Sequence, residues 1–535
     1  MPKKNIALIV SIGILWITVA SLLITSIKIN QGHIAYALDD AYIHMSIAKN
    51  FALHGVWGIT QYDFTSSSSS LLYTLSLSFI YFLFGVNEII PLILNIIFAT
   101  LSICVIYCLL KQNNIKDLYI FILLQLIIFL TPLPALIFTG MEHTLQILIT
   151  IPFVYLSAKM ISEGKSSNRN NIFLFILGIF VTMVRYEGIF LLLIVSSLFI
   201  LNKKWKFAVG LLASGFFPIV IYGIISLLKG WYFLPNSIIL KGNTPTFSIL
   251  GLIDFFTVFI HKIIETSHIF VLVYGALILF IYQFNKQKKW SDTTTMLSVF
   301  ILTSILQIMF ASTGWFYRYE AYLVCLGIFS IAIGFQESLS KNLSLDITKN
   351  VFPKYIAIIL LLLIVISPLT DRGYISVTHV TQATNNIYEQ QYQMGLFLKQ
   401  FYGKESVAVN DIGAVSYLSD VKTLDLIGLG NIKVAKLRME SIYDIQKIQD
   451  LATEYDVKIA IIYDSWFTKG MFTEGIPSDW IAVGQWTIPN NVVCGGDTVT
   501  FYATNPEEER KLKENLKIFS SNLPIDIKQT GSYLL

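Results

Sequence analysis

The chain has 535 residues, of which 55% are hydrophobic and only 13% are charged. Soluble domains carry about 25% charged residues, so this composition excludes a soluble globular enzyme and, equally, a disordered chain. The net charge of +4 is small and the basic residues fall in short separate groups, so we expect no nucleic-acid partner. A membrane protein that crosses the bilayer many times, with at least one polar part, fits these numbers.

Apolar runs of about 20 residues, the length that crosses ~30 Å of hydrocarbon as a helix, recur along the first part of the chain. Eleven runs fit or nearly fit this length: 5–27, 89–110, 117–131, 143–160, 171–183, 188–202, 206–228, 268–285, 295–313, 319–336 and 354–370. The first lacks a small-residue cleavage site, so we expect an anchor and not a cleaved signal peptide. Runs 171–183 and 188–202 are short, which favours tilted spans or a hairpin. Stretches 70–84 and 249–262 predict interfacial or re-entrant helices.

Lysine and arginine concentrate in alternate loops, which orients the spans because cytoplasmic loops carry an excess of these residues. With the N-terminus in the cytoplasm, the alternation holds across all eleven spans. The odd number of spans then places the chain after about residue 370 on the outer face. The cations left in the outer loops are Lys28, Lys49, Arg185, Lys229, Lys241 and Arg318.

The tail regains charged and turn residues and alternates strand-like with helical segments. Strand-type runs lie at 406–410, 457–463, 480–487 and 497–503, with amphipathic helical stretches such as 384–402 and 441–455 between them. This alternation predicts an α/β domain. We therefore expect a transmembrane module at 1–370, whose first outer loop is 28–69, and an extracytoplasmic α/β domain at 371–535.

Two adjacent carboxylates, Asp39 and Asp40, follow the first span in the segment LDDAYIHMSIAKN at 38–50. Adjacent like charges raise one another's pKa unless a cation or metal lies nearby. A carboxylate in this position can act as a general base on a hydroxyl or hold a divalent cation. Alternatively, one of the pair is the N-cap of the following helix. His44 lies on the same helix face as Asp40. It is either a phosphate or metal ligand or a polar surface residue.

The other polar features of the outer loops are short motifs. They are the run Thr65 to Ser70, Gly140-Met141-Glu142-His143, Arg185-Tyr186-Glu187-Gly188, Pro235-Asn236 with Lys241, and Arg318-Tyr319. The hydroxyl run predicts a linker with an N-cap, or a helix start that binds an anionic head group. Arg185 and Glu187 can instead form an ion pair that stabilises the bundle, and Lys241 can be an interfacial anchor. Cations beside carboxylates at a lipid surface suit a lipid-linked phosphate donor and a hydroxyl acceptor.

Taken in order, these motifs resemble the GT-C superfamily of integral-membrane glycosyltransferases, and within it the bacterial arabinofuranosyltransferase-like branch. Members of that branch open with Asp-Asp-Ala-Tyr, which residues 39–42 match, and carry Arg-Pro-Glu-Gly, where this chain has a tyrosine as residue 186. The branch's Ser-Pro-Leu-Trp helix start is Ser-Ser-Leu-Leu-Tyr at 69–73 here. The tail segment 411–431 resembles the extracytoplasmic domain of the branch. The departures leave the identity of the sugar open.

The resemblance implies a GT-C-type helical bundle of about 11 spans plus interfacial helices, with a C-terminal extracytoplasmic α/β domain. It also implies inverting transfer of a sugar from a polyprenyl-phosphate-linked donor to a hydroxyl of a glycan, glycolipid or protein, on the outer face of the bacterial cytoplasmic membrane. In that reaction Asp39 and Asp40 are base candidates, and Asp40 is also a candidate ligand for a divalent metal, which the resemblance allows for the first-loop carboxylates. The phosphate-binding residues would be Arg185, Lys241 and Arg318. Further substrate-binding candidates are His44, Ser69, Glu142, Glu187, Asn236 and Tyr319.

Two other classes of protein use lipid-linked substrates. A transporter would place charges in the middle of its spans and would often show inverted repeats, and the sequence has neither. A ligase or polymerase of surface polysaccharide more often carries its key residues in one large late loop. Here the carboxylates lie in the first loop, which favours the glycosyltransferase.

Overall fold

The architecture comes from a computed structural model that describes residues 5–163, 167–241, 249–288, 290–342, 352–468 and 475–535. The chain begins with a helical part. Its helices are α1 (Ile6–Ile29), α2 (Asp40–His54), α3 (Leu71–Phe84), α4 (Ile90–Gln112), α5 (Asp117–Leu130), α6 (Leu133–Phe138), α7 (His143–Ser162), α8 (Asn168–Val184), α9 (Gly188–Leu201), α10 (Trp205–Leu228), α11 (Asn236–Ile239), α12 (Ile249–Glu265), α13 (Ser267–Gln287), α14 (Asp292–Phe310), α15 (Ala321–Asn342), α16 (Phe352–Ile387) and, after a π-helical turn at Tyr388–Tyr392, α17 (Gln393–Phe401).

A helix lies at each of the eleven predicted spans. Among the described residues, six helices are long and apolar enough to cross a membrane: α1, α4, α7, α10, α13 and α14. The apolar helices α3, α5, α8, α9 and the segment Ala321–Gln336 of α15 are shorter. The chain therefore has several membrane-spanning helices, and the total of eleven spans stays a prediction. The two stretches expected to be interfacial are helical, as α3 and α12.

Helices α8 and α9 form the hairpin that their short lengths suggested. They pack against one another and both pack against α10. The chain turns between them at Arg185, Tyr186 and Glu187, and Gly188 begins α9. A Cβ atom at Gly188 would lie 2.1 Å from the carbonyl oxygen of Val181, so the close turn requires glycine. The turn brings an arginine and a glutamate to one end of the bundle.

The C-terminal part is an α/β domain built on one six-stranded sheet. Its elements are β1 (Ser406–Val409), α18 (Gly413–Leu418), β2 (Lys422–Asp425), α19 (Ile432–Met439), α20 (Ile445–Glu454), β3 (Val457–Ile462), α21 (Asp464–Thr468), β4 (Ile481–Thr487), β5 (Thr498–Ala503), α22 (Pro506–Phe519) and β6 (Lys528–Gly531). The strand order is β2-β1-β3-β5-β4-β6. Strands β1, β2 and β3 are parallel, and the remaining pairs are antiparallel. This confirms the predicted domain with its mixture of strands and helices.

The two parts of the chain are in direct contact. Helix α2 packs against α18 of the C-terminal domain as well as against α3. Helix α16 runs without a break through residue 370, where the sequence suggested a domain boundary, so a continuous helix joins the bundle to the domain. Apolar side chains of both parts, including Ile43, Ile47, Ile59 and Ile412, share one buried cluster.

Candidate active site

A cavity of about 220 Å³ lies where the loops at one end of the bundle meet. Eight of its lining residues are candidates from the sequence: Asp40, His44, Ser69, Arg185, Glu187, Lys241, Arg318 and Tyr319. They come from loops and helix ends spread over most of the bundle, so the fold gathers residues that the sequence separates widely. Apolar side chains of α9, α11 and α14, such as Phe190, Ile238 and Phe310, complete the wall on the side of the bundle.

Asp40 begins α2 and points into this cavity, where two cations face it. Its Oδ2 accepts a hydrogen bond from Nη2 of Arg318 at 2.5 Å and lies 3.6 Å from Nζ of Lys241. Burial acts to raise the pKa of Asp40, but Lys241 and Arg318 outweigh it and hold the pKa well below its usual range. Asp40 is therefore ionised, and about a quarter of its side chain stays exposed.

Arg318 is buried, and several contacts fix its guanidinium. Its Nη1 donates to Sδ of Met141 at 2.8 Å, and its Nη2 donates to the hydroxyl of Tyr319 at 2.9 Å. The ring of Tyr319 lies 4.7 Å from the guanidinium carbon of Arg318 and 5.3 Å from that of Arg185. Cations over an aromatic face are attracted to it, so Tyr319 holds two arginines side by side although their charges repel.

Arg185 is buried between two carboxylates. Its Nη1 donates to Glu142 at 2.6 Å, while Nε and Nη2 donate to the two oxygens of Glu187 at 3.1 and 2.7 Å. Burial acts to raise the pKa of Glu142, but His44 and Arg185 lower it to about 2. The ion pair offered as the alternative for Arg185 and Glu187 is therefore present, and it also lines the cavity.

His44 lies one helical turn after Asp40, and a polar network surrounds it. Its Nε2 is 3.3 Å from an oxygen of Glu142 and 3.3 Å from Oγ of Ser69, while its Nδ1 is 2.8 Å from Oγ1 of Thr74. Burial lowers the pKa of His44 more than Glu142 raises it, so the ring is neutral near pH 7. Ser69 also donates to Glu142 at 3.2 Å. These contacts orient Glu142 and, through it, Arg185.

The loop that carries Arg318 has an unusual backbone. Trp315, Phe316 and Tyr317 all have positive φ, at 40°, 54° and 63°, a conformation that costs a non-glycine residue energy. Two buried side chains, Glu320 and Arg372, hold this loop by hydrogen bonds to its backbone. Glu320 accepts from the backbone N–H of Gly314 at 2.9 Å, and Arg372 donates to the carbonyl oxygen of Tyr317 at 2.5 Å. These contacts fix the backbone that presents Arg318.

Asp39 faces away from the cavity and binds the C-terminal domain. Its two carboxylate oxygens accept the backbone N–H groups of Gly413 and Ala414, at 2.7 and 2.8 Å, where α18 begins. The Asp39 side chain makes no hydrogen bond that caps α2. It binds the first backbone N–H groups of α18 instead, so the capping expected of one carboxylate occurs at a different helix. Burial and the nearby Asp411 carboxylate raise the pKa of Asp39. A Cβ atom at Gly413 would lie 2.0 Å from the carbonyl oxygen of Asp39, so this contact needs glycine.

The hydroxyl run has both a structural part and a part that meets the C-terminal domain. Ser70 is the N-cap of α3 and accepts the N–H of Tyr73 at 3.3 Å, as one interpretation of the run predicted. Ser67 donates to the carbonyl oxygen of Leu429 at 2.9 Å. Asn236 donates from Nδ2 to the carbonyl oxygen of Gly428 at 2.7 Å, so it contacts the domain instead of lining the cavity.

The residues around Asp40 do not fit the divalent cation that the resemblance allows. Both polar neighbours of its Oδ2 are themselves cations, Lys241 and Arg318, and a metal site needs several oxygen or nitrogen ligands instead. Among the described residues, no group of three or more histidine, cysteine or acidic side chains could hold a metal ion.

Some residues of the site gave little signal in the sequence. Leu429 lines the cavity from the C-terminal domain, and the only signal that its segment 411–431 carries is a resemblance to a family domain. Met141 lay inside a short motif but was not expected to contact Arg318. The C-terminal domain's hold on Asp39 joins residues far apart in the chain, which no local pattern can indicate.

Comparison with known proteins gives three results. No curated protein matches the sequence significantly. The family described as Domain of unknown function (DUF8728) matches residues 385–502. The crystal structure of ArnT from Cupriavidus metallidurans bound to undecaprenyl phosphate is similar with a TM-score of 0.52 and 12% sequence identity, over 93% of this chain and 99% of that chain.

The structure of the same ArnT in the apo state gives a TM-score of 0.49 at 12% identity, over 93% of this chain and 98% of that chain. ArnT is a GT-C glycosyltransferase. The likeness to the lipid-bound structure, at a TM-score of 0.52, supports the GT-C-type fold expected from the sequence and does not support the arabinofuranosyltransferase-like branch. The chain thus has the GT-C fold, with several membrane-spanning helices and a C-terminal domain that contains a small sheet.

Proposed function

We propose that this protein is a membrane glycosyltransferase that moves a sugar from a polyprenyl-phosphate-linked donor to an acceptor hydroxyl. The observation that carries the proposal is the cavity itself, in which an ionised carboxylate, Asp40, faces Lys241 and Arg318 beneath an apolar wall. A transfer of this kind needs a base for the hydroxyl, cations for the phosphate that leaves, and an apolar path for the lipid. One cavity offers all of these groups.

In the proposed reaction, Asp40 is the base and the two cations bind the phosphate. Asp40 accepts the proton of the acceptor hydroxyl while the oxygen of that hydroxyl attacks the anomeric carbon of the sugar. The bond between that carbon and the phosphate oxygen breaks, and its electron pair leaves with the polyprenyl phosphate. Lys241 and Arg318 stabilise the negative charge that develops on the phosphate. Attack from the side opposite the phosphate inverts the anomeric centre.

The balance of charge suggests how Asp40 becomes a base. Asp40 and Glu187 of the cavity, together with the buried Glu142 that binds Arg185, balance Arg185, Lys241 and Arg318, so the formal charges of these six groups cancel. While both cations face it, Asp40 has a low pKa and accepts protons poorly. A donor phosphate beside Lys241 and Arg318 offsets their charge, which raises the pKa of Asp40. Lys241 is the more accessible cation, with 39% of its side chain exposed.

Several finer points belong to the same proposal. The positive-inside distribution of lysine and arginine supports a cavity on the outer face of a bacterial cytoplasmic membrane. ArnT has been crystallised with undecaprenyl phosphate, which supports a polyprenyl phosphate as the lipid. The sugar is a hexose or a pentose, and the departures from the arabinofuranosyltransferase-like motifs at residues 69–73 and 186 leave its identity open.

The experiment is comparison of envelope glycans and glycoproteins by mass spectrometry, with and without the gene. Deletion should remove one sugar residue from one class of glycoconjugate, and the wild-type gene should restore it. The Asp40→Asn variant should reach the membrane in normal amount and fail to restore it. Unchanged glycans in the deletion strain would refute the proposal.

A further inference from the structure

A loop of the C-terminal domain closes one side of the cavity. The loop runs from Leu426 to Asn431, between β2 and α19, and of the described residues that line the cavity only its Leu429 comes from this domain. Every other described lining residue belongs to the bundle and its loops. The site as the structure has it is therefore incomplete without the C-terminal domain.

Internal bonds hold the loop in one shape. The buried carboxylate of Asp425 accepts the N–H groups of Ile427 and Gly430, at 2.8 and 2.6 Å. Arg438 of α19 donates to the carbonyl oxygen of Ile427 at 2.5 Å. Gly428 has a φ of 87°, in the left-handed region that favours glycine. A loop fixed in this way presents the Leu429 side chain in one place.

The bundle holds the same loop from the other side. Ser67 and Asn236 donate to two consecutive carbonyl oxygens of the loop, those of Leu429 and Gly428. A Cβ atom at Gly430 would lie 2.4 Å from Cδ1 of Ile59, so the loop lies in close contact with the first loop of the bundle. Leu429 consequently keeps its position relative to Asp40, since both are tied to the segment between α1 and α3.

The two sides of the cavity differ in what can arrive there. Phe190 and Phe310 come from the apolar helices α9 and α14, along which a lipid chain would approach from the bilayer. Ser237 and Ile238 come from α11, whose first residue, Asn236, bonds to the loop of Leu429. Leu429 comes from the domain beside the bundle, where a substrate borne outside the bilayer would approach. A donor that enters from the lipid side leaves the Leu429 side for the acceptor.

One polar atom without a partner faces the cavity. Among the described residues that line it, Oγ of Ser237 is buried and has no hydrogen-bond partner. Buried polar groups are normally paired. A ligand rich in hydroxyl groups, such as the end of a glycan, would supply the partner.

Resting on the proposed function, we propose that Leu429 is a specificity-determining residue of the acceptor subsite and that the C-terminal domain selects a glycan acceptor. A larger side chain at this position narrows the space beside Asp40 on the acceptor side and leaves the cations for the donor phosphate untouched. The domain of unknown function would then have a defined task in the same reaction.

The test uses the full-length protein and separates donor binding from transfer. Leu429→Trp and the smaller change Leu429→Phe are compared with wild type, and Met439→Trp, which adds the same bulk at a half-exposed position on α19, is the matched control. Binding of undecaprenyl phosphate to purified protein in nanodiscs is measured by native mass spectrometry. Transfer is measured as the glycan residue restored in the deletion strain.

We expect Leu429→Trp to bind undecaprenyl phosphate within about twofold of wild type and to restore about tenfold less glycan or worse. Leu429→Phe should lose less, and the control should lose nothing. If the tryptophan variant does not fold, the phenylalanine variant decides. Wild-type transfer by the folded variants, or equal losses of lipid binding and transfer, would overturn the inference. A wild-type protein that binds no undecaprenyl phosphate would instead refute the proposed function, and this inference with it.

Discussion

Asp39 and Asp40 are neighbours in the chain, yet the regions around them differ in almost every physical respect. Asp40 faces a cavity, where Lys241 and Arg318 hold its pKa low. Asp39 faces the C-terminal domain, where burial and Asp411 raise its pKa and two backbone N–H groups bind it. The start of α2 thus presents Asp40 to the cavity and Asp39 to the C-terminal domain.

Two adjacent carboxylates at one helix start therefore have different roles. In the cavity, the charge of Asp40 is balanced by the side chains of Lys241 and Arg318. At the interface, the backbone N–H groups of Gly413 and Ala414, whose positions are fixed by helix α18, bind Asp39. We therefore expect changes on the Asp40 side to affect the reaction and changes on the Asp39 side to affect the position of the C-terminal domain.

The largest effect should come from removing the charge of Asp40. We expect Asp40→Asn to reduce transfer about 100-fold or more, because a general base contributes roughly 10²–10⁴ to the rate. The measurement is the restored glycan residue, normalised to the protein in the membrane. Asp420→Asn, at an exposed carboxylate outside the cavity, is the control. An active Asp40→Asn protein would break the distinction between the two regions.

The next effect should come from Arg318. Arg318→Ala should weaken binding of undecaprenyl phosphate about tenfold to 100-fold, since hydrogen bonds to charged groups contribute about 1.5–3 kcal/mol. Native mass spectrometry of the protein in nanodiscs measures it. Lys447→Ala, at an exposed lysine of the C-terminal domain, should bind as wild type does. Equal binding by both variants would remove Arg318 from the phosphate site.

At the interface, Asp39→Ala should weaken the attachment of the C-terminal domain to the start of α2. Loss of its two bonds to α18 should cost roughly 2 kcal/mol of local stability. Hydrogen–deuterium exchange at Gly413 and Ala414 should therefore quicken, whereas Asp40→Asn should leave exchange at these amides unchanged. The reverse pattern would show that the two carboxylates have been assigned to the wrong regions.

A pH titration sharpens the same distinction. The pKa of Asp39 is raised, so its protonated form is favoured in the folded protein. A carboxyl group of this kind contributes stability at low pH that is lost as the pH rises from its unfolded value through its folded value. Exchange at Gly413 and Ala414, corrected for the intrinsic rate, should therefore quicken from pH 6 to pH 9. Asp39→Asn should reduce that dependence, and a dependence kept in full would assign it to other groups.

The smallest effect should come from the N-cap of α3. Ser70→Ala should cost about 1 kcal/mol, the usual value of such a cap, because the N–H of Tyr73 loses its partner. Thermal unfolding in detergent measures the loss. Ser70→Thr keeps the hydroxyl and should keep most of the stability. A cost above that of Asp39→Ala would show that the hydroxyl run does more than begin a helix.

Much of the fold could be predicted because its signals are local. Apolar runs indicated the helices, and alternation in the tail indicated β1, β3, β4 and β5. Strand β2 is only four residues long and β6 reads Lys-Gln-Thr-Gly, so neither carries an apolar pattern. Polar residues after 370 concealed the continuation of α16 through the predicted domain boundary.

The sequence indicated which residues belong to the candidate site better than it indicated the contacts that they make. Asp40, Lys241 and Arg318 were candidates because charge is expensive near a membrane, and the structure brings them together. The separate direction of Asp39 and the position of Leu429 depend on how the C-terminal domain lies on the bundle. That arrangement comes from tertiary packing between distant segments, which a single sequence does not reveal.

Above all, we propose that this cavity binds the phosphate of a polyprenyl-linked donor beside Asp40. The most direct test is a cryo-electron microscopy structure of the full chain in nanodiscs with undecaprenyl phosphate. We predict phosphate oxygens within hydrogen-bond distance of Lys241 and Arg318, with the lipid chain along Phe190 and Phe310. A phosphate bound elsewhere, with Arg318 still bonded to Asp40, would contradict the account.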